Sequence, residues 1–181
     1  KVSFKDQDSI PFNFYFINKS DISNNINSWQ KHYLTAKIEK INIQDIKNNR
    51  ALEFSELLDL KLEASEEELL TKLIVLYNYG GSFIDETLYP VELNKIEFAQ
   101  AIFELNNKYD FYSYMKPDSR TVEISTRFIS ANKKNFLIEQ ILKSIVTNKN
   151  VNIYKQYNEI IYNYIHIGNN IIFPTLYFEQ K

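Results

Sequence analysis

Between Glu66 and Tyr79 apolar residues recur at helical spacing. At about 100° per residue, Leu69, Leu70, Leu73, Ile74, Leu76 and Tyr77 share one wide arc, and Glu67, Glu68, Thr71, Lys72 and Asn78 fall outside it. Ser65 followed by Glu68 has the form of a capping box, which predicts a helix starting at Glu66. Gly80 and Gly81 come next, two of only three glycines in the chain, and predict a sharp exit with positive φ at one of them, Gly80 in the first place. The apolar run Ser82 to Ile84 then reads as a short buried strand, and it ends on the acidic residues Asp85 and Glu86.

Upstream, Phe12, Phe14 and Phe16 alternate with Asn13, Tyr15 and Ile17, so Pro11 to Ile17 reads as a strand apolar on both faces and central in a covered sheet. Asp21 to Tyr33 places Ile22, Ile26, Trp29 and Tyr33 at helical spacing, with Trp29 in the core and His32 off the stripe and solvated. Ala36 to Ile43 alternates as a second strand, and Leu52 to Leu58 reads as a helical segment. Pro90 prevents helix continuation after the acidic pair.

A helix is expected from Ile96 to Asn106. Asp110 to Met115 and Thr121 to Ser125 read as strands of a hairpin joined by the turn residues Lys116 to Ser119. Phe128 to Ala131 is a core strand, and Asn135 to Val146 is an amphipathic helix with Phe136, Leu137, Ile141, Leu142 and Ile145 on its apolar side. Asn152 to Ile165 is expected to be helical, Gly168 breaks it, and Ile171 to Phe173 is a short strand. The alternation predicts one α/β domain over residues 1–181, with a mixed sheet of five to seven strands, no internal repeat and no low-complexity linker.

A formal charge of −2 leaves no basic field for a nucleic-acid backbone, so nucleic acid is not an expected partner. The absence of cysteine excludes disulfides, thiolate zinc sites and a cysteine nucleophile. No apolar run approaches the roughly 18 residues of a transmembrane helix. The chain opens at Lys1 without a signal-peptide pattern, as expected of an excised domain or a processed protein.

Carboxylates just past a buried strand have two readings. In open α/β sheets the carboxyl ends of the strands face the ligand crevice, where Asp85 and Glu86 could meet substrate or metal; alternatively they form a solvated acidic turn. Likewise His166, beside Gly168 and the Asn169-Asn170 pair, could close over a diphosphate or be an ordinary loop residue.

The run Leu76-Tyr77-Asn78-Tyr79-Gly80-Gly81-Ser82-Phe83-Ile84-Asp85-Glu86-Thr87 resembles the signature L-Y-x-Y-G-G-x-Y-x-D-x-D of the DXD-containing glycosyltransferases of family 32, which is similar to the catalytic domain of the clostridial glucosylating toxins. Weaker resemblance extends through Ile10-Pro11, Ser28-Trp29 and Phe128 to Ala131. The resemblance implies the type A nucleotide-sugar glycosyltransferase fold near its minimum size, a Rossmann-like mixed sheet flanked by helices. It implies a cytoplasmic, at most membrane-peripheral, retaining transferase that moves a sugar from UDP-sugar or another nucleotide-sugar to a carbohydrate acceptor, as in surface polysaccharide synthesis. Mn²⁺ or Mg²⁺ would be held with the nucleotide by Asp85, and the donor would be met by Asn18, Lys72, Asp85, Glu86 and Thr87.

Four positions depart from the family pattern. Asn18 stands where the family has a base-stacking tryptophan, Leu69 and Lys72 where it has the helix aspartate and arginine, and Thr87 where it has the second acid of the DXD motif. Lys72 keeps the charge without the bidentate fork. Glu86 would need a local turn to join Asp85, because adjacent residues of an extended chain point to opposite sides. A scaffold kept better than its site opens a second reading, a degenerate non-catalytic binding or scaffold module. A toxin-like domain that glycosylates a host protein is a third.

Overall fold

The computed structural model describes residues 9–90, 95–116, 120–150 and 152–174. Six strands, β1 (Asn13–Ile17), β2 (Lys37–Ile41), β3 (Gly81–Ile84), β4 (Phe111–Tyr114), β5 (Phe128–Ala131) and β6 (Asn170–Phe173), form one sheet in the order β2-β1-β3-β5-β4-β6. β5 runs antiparallel to both of its neighbours, and the other pairings are parallel. β1 lies inside the sheet, as its two apolar faces require. Phe14 and Phe16 pack on one side with α1 (Ser23–His32) and α4 (Lys95–Lys108), in a core containing Ile22, Trp29, Tyr33 and Ile102. Tyr15 and Ile17 pack on the other side with α3 (Ala64–Tyr79), α5 (Phe136–Thr147) and α6 (Ile153–Tyr164). A fully buried phenylalanine contributes about 1.5–3 kcal/mol, so Phe14 and Phe16 anchor the first layer strongly.

The central helix departs from its expected form in two ways. It begins at Ala64, because Glu63 and Glu66 make the capping box instead of Ser65 and Glu68. Glu68 is drawn away by Lys19, whose Nζ lies 2.9 Å from its carboxylate. The helix is also buried on all sides from Leu69 to Asn78, including Thr71, Lys72 and Asn78. It is enclosed by the sheet, α5, α6, α2 (Ile43–Asn48) and a 3-10 turn (Ser55–Asp59). Its polar side chains are satisfied internally: Thr71 donates to the Glu67 carbonyl, and Asn78 donates to the Glu53 and Ile74 carbonyls while accepting from Glu53 N–H.

Gly80 and Gly81 both have positive φ, 69° and 128°. A Cβ at Gly80 would come within 2.8 Å of Lys133 N, and one at Gly81 within 2.7 Å of Tyr15 Cε2 and 2.8 Å of Asn13 O. The pair therefore answers both a backbone and a packing demand. Tyr15 fastens the turn by donating to the Gly80 carbonyl at 2.9 Å.

Several expected elements differ. Short α2, capped by Asn42, follows β2 directly, and Leu52 to Leu58 contributes a 3-10 turn rather than an α-helix. Thr121 to Ser125 is not a strand, although it does return antiparallel beside the end of β4. Met115 and Ile124 form an isolated bridge, Ser125 N–H donates to the Tyr114 carbonyl and Lys116 N–H to the Glu123 carbonyl, before the chain turns into β5, which pairs β4 at Phe111 and Tyr112. Pro117 to Ser119 of the expected turn lie outside the described residues. Phe136, in the first turn of α5, is 38% exposed and packs edge-on against Tyr164, whereas Ile138 is buried. His32 is not solvated: its Nδ1 lies 2.8 Å from the Ser28 carbonyl oxygen and its Nε2 is buried. Among the described residues no helix is long and apolar enough to cross a membrane.

Candidate functional site

Asp85 stands at the carboxyl edge of the sheet, one residue beyond β3, next to the end of β1. Asn18, exposed and donating its backbone N–H to the Ile41 carbonyl, occupies the same edge. Because β5 is antiparallel, its entry segment Ser125 to Arg127 also arrives here, and Asp85 N–H donates to the Arg127 carbonyl at 2.7 Å. α3 runs back along the sheet, so its first half brings Glu68 and Lys72 to this edge. Leu69, buried to 1% exposure, is part of the core.

A local turn does follow β3. Asp85 Oδ1 accepts from the Thr87 backbone N–H at 2.9 Å and from its hydroxyl at 2.5 Å, and Arg127 Nη2 donates to Thr87 Oγ1 at 2.8 Å. The following chain is tied down from below, where the Leu88 carbonyl accepts from Asn25 Nδ2 at 2.7 Å and Trp29 Nε1 at 2.8 Å. Trp29 is thus a core residue that also holds the site loop. Glu86 does not join Asp85: its carboxylate takes Lys19 Nζ at 2.7 Å, and the same amine reaches Glu68.

Lys72 is 5% exposed, donates to the Thr126 carbonyl at 2.9 Å and lies 4.0 Å from Asp85 Oδ2. The Ser125 to Phe128 turn is clamped from several elements, since the single Ser113 hydroxyl proton is shared between the Phe128 carbonyl at 2.7 Å and the Ser125 carbonyl at 3.0 Å, and Tyr157 OH donates to the Ser125 carbonyl. Thr126 and Arg127 are therefore presented on a rigid wall.

Burial pushes the Lys72 ammonium below the ordinary lysine range, with Asp85, Glu68 and Glu86 pulling partly the other way. Desolvation opposes the Asp85 anion, but the Thr87 hydroxyl and backbone N–H, helped by Lys72 and Arg127, hold its carboxyl below the usual range. Partial burial also works against the Lys19 ammonium, yet its bonds to Glu68 and Glu86 raise its pKa. The edge thus holds a preorganised carboxylate, a buried lysine and an arginine.

The structure therefore brings Asn18, Lys72, Asp85, Glu86 and Thr87 to one edge and separates His166 from them. His166 precedes β6, whose first residue Asn170 pairs with Phe111, in line with Ala131 and Gly81 at the amino end of β3. That edge is opposite Asp85, so His166 does not close over the site. Lys19, Glu68 and Arg127 are site residues that helical periodicity could not find. For Lys19 after β1 and Arg127 before β5 the sequence signal is a charge beside a strand end, whereas Glu68 stands on the polar side of its helix.

No family model and no curated protein matches the chain. Among solved structures it is similar to the PaToxG glycosyltransferase, at 13% identity over 87% of this chain and 71% of that one, with a TM-score of 0.55. The fold is a type A glycosyltransferase fold. It also matches the UDP-bound glycosyltransferase domain from the YGT toxin, at 13% identity over 79% of this chain and 39% of that one, with a TM-score of 0.35.

Proposed function

We propose that the chain is a divergent glycosyltransferase, related to family 32, that binds a nucleotide-sugar such as UDP-sugar at the carboxyl edge of β1 and β3. The observation that carries this reading is the placement of Asp85: an ionised carboxylate, oriented by Thr87 and flanked by Lys72 and Arg127, at the crevice edge of a glycosyltransferase fold. Asn18 and Arg127 border the donor, and Lys72 acts from beneath by fixing Asp85 and the Thr126 wall.

In the transfer, the oxygen of an acceptor hydroxyl bonds to the anomeric carbon while the bond from that carbon to the diphosphate oxygen breaks. The diphosphate leaves with the electron pair, the hydroxyl proton passes to it directly or through water, and the anomeric configuration is retained. Arg127 offers a fixed positive charge to the departing diphosphate. The acceptor in this reading is a carbohydrate, as in surface polysaccharide synthesis by a cytoplasmic or membrane-peripheral protein.

The donor set constrains the metal. Asp85 is one carboxylate with a lysine 4.0 Å away, and Glu86 is engaged by Lys19. Mn²⁺ or Mg²⁺ fits only as an ion whose shell is completed by diphosphate oxygens and water, with Asp85 as its protein ligand. When bound there, the cation would neutralise charge on the leaving diphosphate.

A specific observation favours a second reading, a non-catalytic binding or scaffold module: Lys72 and Asp85 both spend hydrogen bonds on holding their own loops. Calorimetric titration with UDP and other nucleotides, with and without Mn²⁺, separates the two. Saturable binding strengthened by Mn²⁺ is expected of the transferase, and no nucleotide binding would leave the scaffold.

A further inference from the structure

A cleft of about 820 Å³ lies beside this edge, between the segment 121–127 and the first half of α6. Its walls include Val122, Thr126, Arg127, Asn152, Tyr154 and Glu159. We infer that this cleft is the acceptor subsite and that it takes an uncharged saccharide, an inference that rests on the proposed transferase reading.

Three features carry it. The first is position: Thr126 and Arg127 line the cleft while the Thr126 carbonyl binds Lys72 and the Arg127 guanidinium binds Thr87, so the cleft and the Asp85 edge share a wall. A hydroxyl presented along that wall meets the donor without a domain movement.

The second is charge. Lys116 is paired with Glu123 at 2.9 Å and Lys155 with Glu159 at 3.7 Å, and the Arg127 guanidinium is turned to Thr87. Such a cleft has little field for a polyanion and suits a neutral polyol. The third is composition. Tyr154 and Val122, the latter 67% exposed, offer apolar surface, and the Asn152 amide, the Thr126 hydroxyl and the Glu159 carboxylate offer hydrogen-bonding groups. Apolar faces with a few polar groups are what a sugar ring, with its C–H face and its hydroxyls, requires. The volume falls inside the range of about 300–1,000 Å³ usual for small-ligand sites.

Rigidity supports a built site. Asn158 accepts from Ile124 N–H at 2.7 Å, and Tyr154 OH donates to the Ser65 carbonyl at 3.1 Å, so the two walls are fixed to each other and to α3.

The test follows backbone amide shifts by nuclear magnetic resonance in UDP-saturated protein titrated with cellobiose, maltose, lactose and chitobiose. Shifts confined to 121–127 and 152–159 are expected for at least one disaccharide. Val122→Trp, at an exposed position, should weaken that response at least tenfold and leave the UDP response at the Asp85 edge unchanged. If UDP binds but no disaccharide perturbs the cleft, or Val122→Trp has no effect, the subsite assignment is overturned. If UDP itself does not bind, the transferase reading fails, and the amides at Asp85 and Asn18 report that separately from those of the cleft. A response to an acidic or basic peptide in place of the saccharides also overturns the assignment.

Discussion

Lys72 donates to the carbonyl of Thr126 and stands 4.0 Å from the carboxylate of Asp85. One buried amine thus ties the central helix to the entry of β5 and to the end of β3. Lys72→Met keeps the volume but leaves the Thr126 carbonyl unpartnered, and a buried unsatisfied acceptor costs about 1–3 kcal/mol. The variant should unfold at correspondingly lower urea concentration, with the Asp85 edge loosened and UDP binding weakened. An unchanged midpoint would show that the bond carries no stability.

The Asp85 carboxyl has a folded pKa below its ordinary value of 3.8, so the folded state prefers the anion. Its contribution is fully present above that value and is lost as pH falls through the folded pKa. Lys72 is shifted downward as well, so the unfolded chain binds its proton more readily, and stability from this residue rises with pH between the lowered folded pKa and 10.5. Urea midpoints measured against pH should show an acid-side decline below about pH 4 that is shallower in Asp85→Asn, and an alkaline-side gain that disappears in Lys72→Met.

Gly80→Ala and Gly81→Ala each place a Cβ on a positive-φ backbone and within 3 Å of neighbouring atoms. Strain of this kind costs on the order of 1–3 kcal/mol. Both should be damaging, since each Cβ meets a backbone atom, Lys133 N at Gly80 and Asn13 O at Gly81, and a ring, Pro11 or Tyr15. Chemical denaturation of the two variants checks the loss, and an unchanged midpoint in either would show that its turn tolerates a side chain.

Nucleotide-free protein should show no stoichiometric Mn²⁺ or Mg²⁺ at Asp85, because one carboxylate cannot complete a hard-cation shell. Paramagnetic titration should register Mn²⁺ binding with UDP present, and Asp85→Ala should abolish it. Thr87→Asp adds an acid where Arg127 already donates, and should strengthen Mn²⁺ and UDP binding together. Tight metal binding without nucleotide would overturn the single-ligand argument.

Arg127→Ala removes the donor to Thr87 and the fixed charge facing the crevice. Hydrogen bonds to charged groups contribute about 1.5–3 kcal/mol, so UDP affinity should fall about tenfold or more. Arg127→Lys should recover only part of that loss, since lysine cannot reproduce the planar fork.

Much of the framework was legible in the chain. The alternating phenylalanines of β1, the helix before the glycine pair, the buried β3 and the carboxylate at its end follow from periodicity and glycine chemistry, which are local properties. Asp85 could be placed at the carboxyl edge because a strand fed by a packed helix has only one open end. Tertiary structure decided the rest. Ser65 yields the cap to Glu63, and Thr71, Lys72 and Asn78 are buried despite lying off the apolar arc, because α3 is covered on every side. Thr121 to Ser125 has strand composition and returns antiparallel beside the end of β4, but its pairing stops at one bridge because the chain turns there into β5. His166 is sent to the far edge by the register of β6 on β4. Arg127 and Lys19 reach the site only through the antiparallel entry of β5 and the closure of β1 on α3. Local spacing determines which residues share a face of one element, whereas the meeting of charges from different elements depends on strand order and direction, which no short window of sequence contains.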